Sequence, residues 1–599
     1  MAGLAMLLKS RGHDVSGCDL RASSRTDWLV RNGVFVDIGH SPAHLSGVEE
    51  VVVTPAIPGD SEELQSALRA AALRKCRVRY RGEVLAEIVN GSDAIAICGS
   101  HGKTTTATWT ARLLAALGED VAWCIGGETG NFPVAKAGRG PLVVEADESD
   151  GTLALYRAKT LVVTNCEYDH PDHFKTPADY FACYETAKRN AVDVVDGESL
   201  APLDGLDLSA LAPHNRKNAR AAVEVALRRG HSLEKIVVAL PSVVAELPDR
   251  RFQKLSEGVY TDYAHHPTEM KCAIGMARQV CHGRLRVLFQ PHRYSRTRAL
   301  LNDFPEAFAE ADEVVLCPTY PAFENPVEGG DVADLYAVCR ARFADRPKLF
   351  LARACDEAWE HARNSMREGD VTVLLGAGDI IRLASRIDAP ESAPRRIWIG
   401  AGTNTWKSDL NLSVEYVRTT GRANEPGATL GIPWMAGIPG TIGGWLKMNA
   451  GAFGHSISEL VEKVKVDGRW IDAADCGFSY RHSTLDGEIQ DVVFKPLSSD
   501  GAEGSADDFL ARRKRFPAGT FGSFFKNPEG DFAGRLLEVV GAKDLRVGGA
   551  CVWSEHANVI VRGEGATPSD VLALARLMRN RVLFRLGVAL EPEVCGVTF

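Results

Sequence analysis

No run of about 18 apolar residues occurs in this 599-residue chain, so no membrane span is expected. Its fourteen cysteines include no C-x-x-C pair, and Cys98, Cys166 and Cys317 stand in apolar runs. That excludes a disulfide framework and favours reduced core cysteines in a cytoplasmic protein. Positive charge is not in excess. The net charge is −9, which gives no reason to expect a nucleic-acid or bilayer partner. No internal repeat and no long low-complexity tract is present. No basic residue precedes Lys9, so the apolar start Met1–Leu8 reads as part of a fold and not as a signal peptide. What remains is an ordinary globular composition, long enough for roughly four domains.

The stretch Ile95–Thr106 has an apolar run, the turn Gly99-Ser100-His101-Gly102-Lys103-Thr104-Thr105, and then a helical pattern over Ala107–Leu117. Strand, glycine turn and helix N-terminus in that order suit a phosphate loop. Lys103 can reach terminal phosphates, and the Thr104 hydroxyl can ligate Mg²⁺. The alternative is a plain corner with an exposed lysine. Two further apolar runs end in polar clusters, Glu145–Asp150 and Asn165–His173. Such ends mark the carboxyl edge of a parallel sheet, where ligands bind. Thr104, Glu148 and His170 could hold Mg²⁺ around phosphates. The alternative for Glu145, Asp147, Glu148 and Asp150 is a solvated turn, and His173 reads as a plain loop residue. His214, Asn215 and Asn218 open a helix, where their side chains either read a purine or cap.

Residues 1–90 alternate helix and strand as half of a doubly wound domain, and the chain begins inside its first helix. A strand and glycine turn are expected ahead of that helix, so a truncated or misassigned start is expected. A third α/β unit opens near Arg250-Arg251-Phe252. Arg293 and Arg296, three apart, would share one helix face and suit carboxylate or phosphate oxygens, with a solvated basic face as the alternative. Ala384–Arg395 reads as the main linker. Glycine-rich β-type sequence follows. Gly437, Gly440, Gly443 and Gly444 allow close approach to a flat phosphorylated cofactor if their loop is ordered.

Residues 1–388 resemble the Mur ligases, and among them the alanine-adding branch. The carrying motifs are Gly99–Thr105, Glu145–Gly151, Asp169-His170, His214-Asn-x-x-Asn218, Arg250–Phe252, Asp262–Glu269 and Gln290–Thr297. Residues 395–599 resemble the UDP-N-acetylenolpyruvoylglucosamine reductases, a flavoenzyme family. The matches there are Gly400–Asn404, Ala436–Gly444 with Met448–Ala452, Tyr480-Arg481, Gly522–Pro528, Ala533–Leu536, Ser554–Asn558 and Glu591–Val594.

The first resemblance implies ATP-dependent joining of L-alanine to UDP-N-acetylmuramate through an acyl phosphate. Gly99, Ser100, His101, Gly102, Lys103, Thr104 and Thr105 would cradle ATP, Asn218 would meet adenine and Asp262 ribose. Arg251 would reach the γ-phosphate. Tyr263, His265, Arg293 and Arg296 would position the substrates. The second implies reduction of UDP-N-acetylenolpyruvoylglucosamine by NADPH through FAD. Gly400, Gly402, Thr403, Asn404, Gly437, Pro439, Gly440, Thr441, Gly443, Gly444 and Asn449 would hold FAD. Lys526 and Asn527 would contact substrate, Ser523 would protonate carbon, and Arg481 and Glu593 would stabilise the enolic carboxyl. The product of this half is the substrate of the other. The alternative keeps the ligase and makes the second half a non-catalytic UDP-sugar-binding or docking module.

The implied architecture is α/β and α+β. A Rossmann-like domain (1–90) precedes a P-loop domain (91–248) and a second Rossmann-like domain (249–388). A FAD-binding region (389–480) and a substrate domain (481–599) follow. The short intervals from His170 to His214 and from Leu410 to Met435 predict a reduced central sheet and a compressed flavin region.

Overall fold

The computed structural model describes all residues except 55, 56, 58, 59, 128–131, 172, 344, 345, 391, 392, 497–503, 514 and 515. The first unit contains α1 (Ala2–Ser10), β1 (Ser16–Asp19), α2 (Ser24–Arg31), β2 (Phe35–Ile38), β3 (Glu50–Val53), α3 (Glu62–Ala72), β4 (Arg77–Tyr80) and α4 (Arg81–Asn90). Its strands form two parallel pairs, β1–β2 and β3–β4. Part of the turn expected after β3 lies outside the described residues.

The central unit contains β5 (Ala94–Cys98), α5 (Lys103–Ala116), β6 (Ala122–Cys124), β7 (Ala135–Lys136), β8 (Leu142–Glu145), β9 (Thr160–Val163), α6 (Pro177–Asn190), β10 (Asp193–Asp196), α7 (Pro213–Arg228) and α8 (Leu233–Val244). Short though its chain is, it builds six strands in the order β10-β9-β5-β8-β6-β7, parallel except for β7. Strand β5 is buried along its whole length, as a strand covered on both faces must be. Leu4 and Leu7 of α1 and Val84, Leu85, Ala86, Ile88 and Val89 of α4 join the core on one face. Residues of α5, α7 and α8 fill the other.

The third unit contains β11 (Gln253–Ser256), β12 (Val259–Asp262), α9 (Pro267–Val280), β13 (Leu285–Phe289), α10 (Tyr294–Ala299), α11 (Phe304–Ala307), β14 (Glu313–Leu316), α12 (Val332–Arg342), β15 (Lys348–Leu351), α13 (Cys355–Ser365) and β16 (Val371–Leu375). Its sheet runs β11-β12-β16-β13-β14-β15, with only the edge strand β11 antiparallel.

After the expected linker, of which residues 391 and 392 lie outside the described set, β17 (Arg395–Ile399) pairs in parallel with β18 (Val414–Arg418). Then come α14 (Ile442–Lys447), the short β19 (Gly451–Ala452) and β20 (His455–Ser456), and the antiparallel β21 (Val461–Val466), β22 (Arg469–Asp472) and β23 (Ile489–Phe494). The β21–β23 sheet crosses the boundary expected at 480/481, because β23 returns beside β21 and closes one core with Phe509. The chain finishes with α15 (Ala506–Arg512), α16 (Ala533–Val539), β24 (Arg546–Val547), β25 (Ala550–Trp553), β26 (His556–Arg562) and α17 (Pro568–Leu586).

The linker does not separate the two halves. One apolar core contains Phe289, Leu316, Leu335 and Tyr336 of the third unit together with Trp406, Leu537, Val571 and Leu574. Helix α17 packs on α12. Arg576 Nε and Nη2 donate to the Asp331 carboxylate at 3.1 and 3.0 Å. Tyr336 Oη (2.9 Å) and Arg340 Nε (3.0 Å) donate to Asp570 Oδ1, which is fully buried. All fourteen cysteines are free. Cys98 and Cys317 are buried, whereas Cys166 is half-exposed. Among the described residues no helix is long and apolar enough to cross a membrane.

Candidate active sites

The order β9-β5-β8 sets three strand ends side by side at the carboxyl edge of the central sheet. The glycine turn after β5 is held from behind. Ser100 Oγ donates to the Glu167 carbonyl (2.7 Å), and the His101 amide donates to Asn165 Oδ1 (2.9 Å). Gly99 and Gly102 have φ of +134° and +80°. A Cβ on Gly99 would lie 2.0 Å from Thr164 Oγ1, and one on Gly102 would lie 2.4 Å from Asn218 Oδ1. Only glycine fits at both places. Asn218 thus sits against the loop, where its amide also donates to Asn215 Oδ1 (3.2 Å).

Lys103 opens α5. Its Nζ donates to the Gly99 carbonyl and, at 2.8 Å, to Glu148 Oε1. Burial opposes its charge, but Glu148 and Asp147 override that and raise its pKa. His170, with φ of +58°, brings Nε2 within 3.4 Å of Glu148. Asp147, Glu148 and His170 offer ligand atoms that lie within 4.8 Å of one another. Glu148 Oε2 and His170 Nδ1 are buried without a hydrogen-bond partner among the described residues. An oxygen-seeking divalent cation fits such a pocket. Thr104 is not part of this cluster, since its hydroxyl donates to Glu145 Oε1 (2.9 Å). Thr105 is buried in the first turn of α5.

The third unit faces this edge across a charged seam. His101 links Glu167 (Nε2, 3.2 Å) to Glu269 (Nδ1, 3.3 Å). Burial alone would lower its pKa, but the two carboxylates outweigh it and raise the imidazole to about 9. Thr268 Oγ1 donates to Glu167 Oε2 (2.7 Å). Tyr263 lies under both Arg250 and Arg251, whose guanidinium carbons are 4.7 and 5.3 Å from its ring centre. Asp262 accepts from the backbone amides of Phe252 (2.7 Å) and Ala264 (2.8 Å). Burial pushes its carboxyl up to about 6, against the pull of Arg251. Burial, with Arg296 nearby, lowers His265 to about 3, so its ring is neutral.

Arg293 and Arg296 do not share a target as their spacing predicts. Arg293 caps α10 with φ of +70° and approaches Glu324 (3.7 Å), because the turn after β13 sets it outside the helix. Arg296 is buried and reaches across the seam to both oxygens of Asp169 (3.0 and 3.3 Å). Burial would raise the Asp169 carboxyl, but Arg296 holds it far below its ordinary range. Sequence reasoning quoted Asp169 in a motif but gave it no role.

The second half encloses a cleft of about 1360 Å³. Gly400, Gly402, Thr403, Asn404, Gly437, Pro439, Gly440, Thr441, Gly443 and Gly444 all line it, with Arg481, Ser523, Asn527 and Glu593. A Cβ on Gly400 would lie 2.1 Å from Thr441 Oγ1. Asn404 Oδ1 and Thr419 Oγ1, both on lining residues, are buried without partners among the described residues. A long cleft with close-approach glycines and unsatisfied polar atoms fits a phosphorylated, flat cofactor. Asn449 is set apart from it. Its amide donates to the Ser479 carbonyl (2.9 Å), and its oxygen accepts from the Ser458 amide (3.2 Å). Lys526 lies off the lining, 3.8 Å from Glu591. Arg481 pairs with Glu593 (3.1 Å), and burial raises the Glu593 carboxyl against that pairing. Phe524 and Glu593 pair through their backbones, which sets Ser523 beside Glu593. Trp406, Thr419 and Arg513 line the cleft unforeseen; only Trp406, just after the Gly400–Asn404 turn, stands beside a sequence signal.

Residues 1–92 match the model of the Mur ligase family, catalytic domain. Residues 250–378 match that of the Mur ligase, glutamate ligase domain, and residues 514–597 match the UDP-N-acetylenolpyruvoylglucosamine reductase, C-terminal domain. The UDP-N-acetylmuramate–L-alanine ligase of Gloeobacter violaceus is 34% identical over 437 residues, covering 64% of this chain and 92% of that protein. The enzyme of the same name from Anaeromyxobacter dehalogenans is 34% identical over 439 residues, covering 63% and 93%. The crystal structure of the UDP-N-acetylmuramate-alanine ligase from Thermotoga maritima has a similar fold. Its TM-score is 0.53 at 24% identity, covering 64% of this chain and 95% of that one.

Proposed function

Since this chain belongs to the Mur ligase family, we propose that residues 1–388 join L-alanine to the lactyl carboxylate of UDP-N-acetylmuramate with hydrolysis of ATP. We propose with it that residues 389–599 make that substrate, by reducing UDP-N-acetylenolpyruvoylglucosamine. One observation carries the ligase reading. The glycine turn with Lys103 faces Glu269, His265 and Arg251 of another unit across a charged seam.

In the ligase, a lactyl carboxylate oxygen attacks the γ-phosphorus, and the bond to the ADP oxygen breaks. Lys103 leaves Glu148 for the phosphate oxygens, and the amides at the α5 N-terminus hold the same charge. Asp147, Glu148 and His170 would hold Mg²⁺, which neutralises phosphate charge when bound, and Thr104 would take part once freed from Glu145. Asn218 and Asp262 would hold the adenine and ribose. Arg251, carried on the Tyr263 ring, would meet the γ-phosphate. The alanine ammonium first gives a proton to solvent; the amine nitrogen then attacks the acyl carbon, the carbon–nitrogen bond forms, and phosphate leaves with the second nitrogen proton passing to it or to water. His265 Nδ1 lies 3.1 Å from the Tyr263 carbonyl. Donation there leaves Nε2 as an acceptor able to orient the incoming ammonium without adding charge.

In the reductase, FAD would lie along Gly400–Asn404 and Gly437–Gly444, and when bound it supplies hydride drawn from NADPH. Ser523 makes no hydrogen bond among the described residues, so its hydroxyl is free to give its proton to the substrate carbon. Arg481 and Glu593 hold the carboxyl as it becomes enolic.

The test is the purified full chain. It should be yellow, oxidise NADPH with the enolpyruvyl sugar, and release phosphate only with both alanine and UDP-N-acetylmuramate. A colourless protein that FAD cannot reconstitute would sink the reductase half and leave the ligase standing.

A further inference from the structure

Four side chains outside both active sites converge in the first unit. Cys18 lies on β1, His40 just after β2, His44 in the single helical turn Pro42–Leu45, and Glu63 in the first turn of α3. Cys18 Sγ is 3.2 Å from His40 Nδ1 and 3.4 Å from Glu63 Oε2. Glu63 in turn is 2.9 Å from His40 Nδ1 and 3.1 Å from His44 Nδ1. The ligand atoms of Cys18, His44 and Glu63 all lie within 4.8 Å of one another. The side chains of His40, His44 and Glu63 are only 24%, 25% and 13% exposed. The site is empty.

We propose that Cys18, His44 and Glu63, with His40 packed against Cys18 and Glu63, form a site for a zinc-class divalent cation, which ties the β1–β2 pair to α3 of the first unit.

Three features carry this. The first is distance. Ligands bound at about 2.0–2.3 Å with tetrahedral angles stand roughly 3.3–3.6 Å apart; Glu63 lies 3.4–3.5 Å from Cys18 and 3.1 Å from His44, and Cys18, His44 and Glu63 are all within 4.8 Å of one another. The second is charge. A thiolate, a carboxylate and two neutral imidazoles sum to −2, which a divalent cation neutralises. Thiolate with imidazole selects zinc-class ions over Mg²⁺, so the site does not duplicate the Asp147–Glu148–His170 pocket. The third is support. His44 Nε2 points to Asp37 Oδ2 (3.6 Å) while its Nδ1 faces the cluster. A carboxylate behind an imidazole fixes the ring and its tautomer in metal sites. Binding replaces the Cys18 proton, which is released to solvent, by a sulfur–metal bond.

The clamp would act at a distance from the chemistry. β1 and β2 pair only with each other, and so do β3 and β4. Cys18 lies on β1, His40 and His44 on the connection between the two pairs, and Glu63 on α3 between β3 and β4.

The experiment uses the full chain, stripped with a chelator and titrated with Co²⁺. The expected result is one equivalent of cobalt giving a thiolate-to-cobalt band in the near ultraviolet, which zinc then abolishes. The other His- and carboxylate-containing clusters among the described residues include no cysteine, so they give no such band. Cys18→Ser should remove the band, His44→Asn should weaken cobalt binding at least tenfold, and Asp37→Asn about tenfold. Glu148→Gln should leave the band in place. Circular dichroism on each variant checks that it is folded. Absence of the band in the folded wild type, or its persistence in Cys18→Ser, would overturn the proposal and leave a His–Glu ion-pair cluster.

Discussion

The third unit has a seam on each side, and the two are built from different materials. Toward the central unit the contacts are His101 with Glu269, Thr268 with Glu167, and Arg296 with Asp169. No described apolar core spans that seam; the central cores and the third unit's core are separate. Toward the second half, Phe289 and Leu316 share one core with Leu537 and Leu574. Charged pairs rehydrate when pulled apart, so a polar seam can open at modest cost. A shared apolar core cannot part without exposing its whole surface to water. The first seam can therefore hinge around a nucleotide, while the second welds the reductase half to the moving unit.

The sharpest way to break this contrast is Asp331→Ala. It strands Arg576 in the welded seam and should cost about 3–5 kcal/mol, lowering both activities in one unfolding transition by denaturant titration. Two separate transitions would mean that the halves are merely tethered. Lys103→Ala should next lower phosphate release about 10²–10³-fold while NADPH oxidation is unchanged, read in parallel steady-state assays.

One pH response should come from the hinge. The folded pKa of His101, about 9, lies above its ordinary 6.5. Its stabilisation, on the order of 3 kcal/mol, is complete below pH 6.5 and lost as pH rises through 9. Glu167, held near 2 by its hydrogen bond to His101, keeps the same contact above pH 4.5 and loses it as pH falls toward 2. Small-angle scattering from pH 6.5 to 9.5 should show the central unit swinging away, and His101→Gln should flatten that change. Arg296→Ala should lower ligase turnover about tenfold and leave the buried Asp169 carboxylate unpaired in the closed seam, a loss of stability at neutral pH that shrinks as pH falls, read by denaturant titration at two pH values. An unchanged stability at both would mean that the seam stands open without nucleotide.

Sequence alone gave access to what is local. The turn Gly99–Thr105 is contiguous, and so is the strand end Glu145–Asp150, so their chemistry could be read before any sheet order was known. The seams were hidden because their partners are remote. Arg576 meets Asp331 across 245 positions, and Arg296 meets Asp169 across 127. A spacing of three placed Arg293 and Arg296 on one face only under the assumption that both were helical, and the left-handed Arg293 backbone breaks it. The weld did leave one trace. Helix α17 buries residues in unbroken succession from Ser569 to Ala575, which an amphipathic surface helix would not do.

The weld also bears on how the protein is made. The third unit is complete by about residue 388, but the strands and helix that cover its α12 face lie between 524 and 597. At roughly 5–20 residues per second, synthesis of the intervening two hundred residues takes about 10–40 s. Through that interval Leu335 and Tyr336 wait bare at the ribosome for the last part of the chain to arrive. A message cut after the ligase would leave that face permanently wet and adhesive. Once such a fusion has settled into a common interior, separating its genes again would yield two proteins that each lack a side.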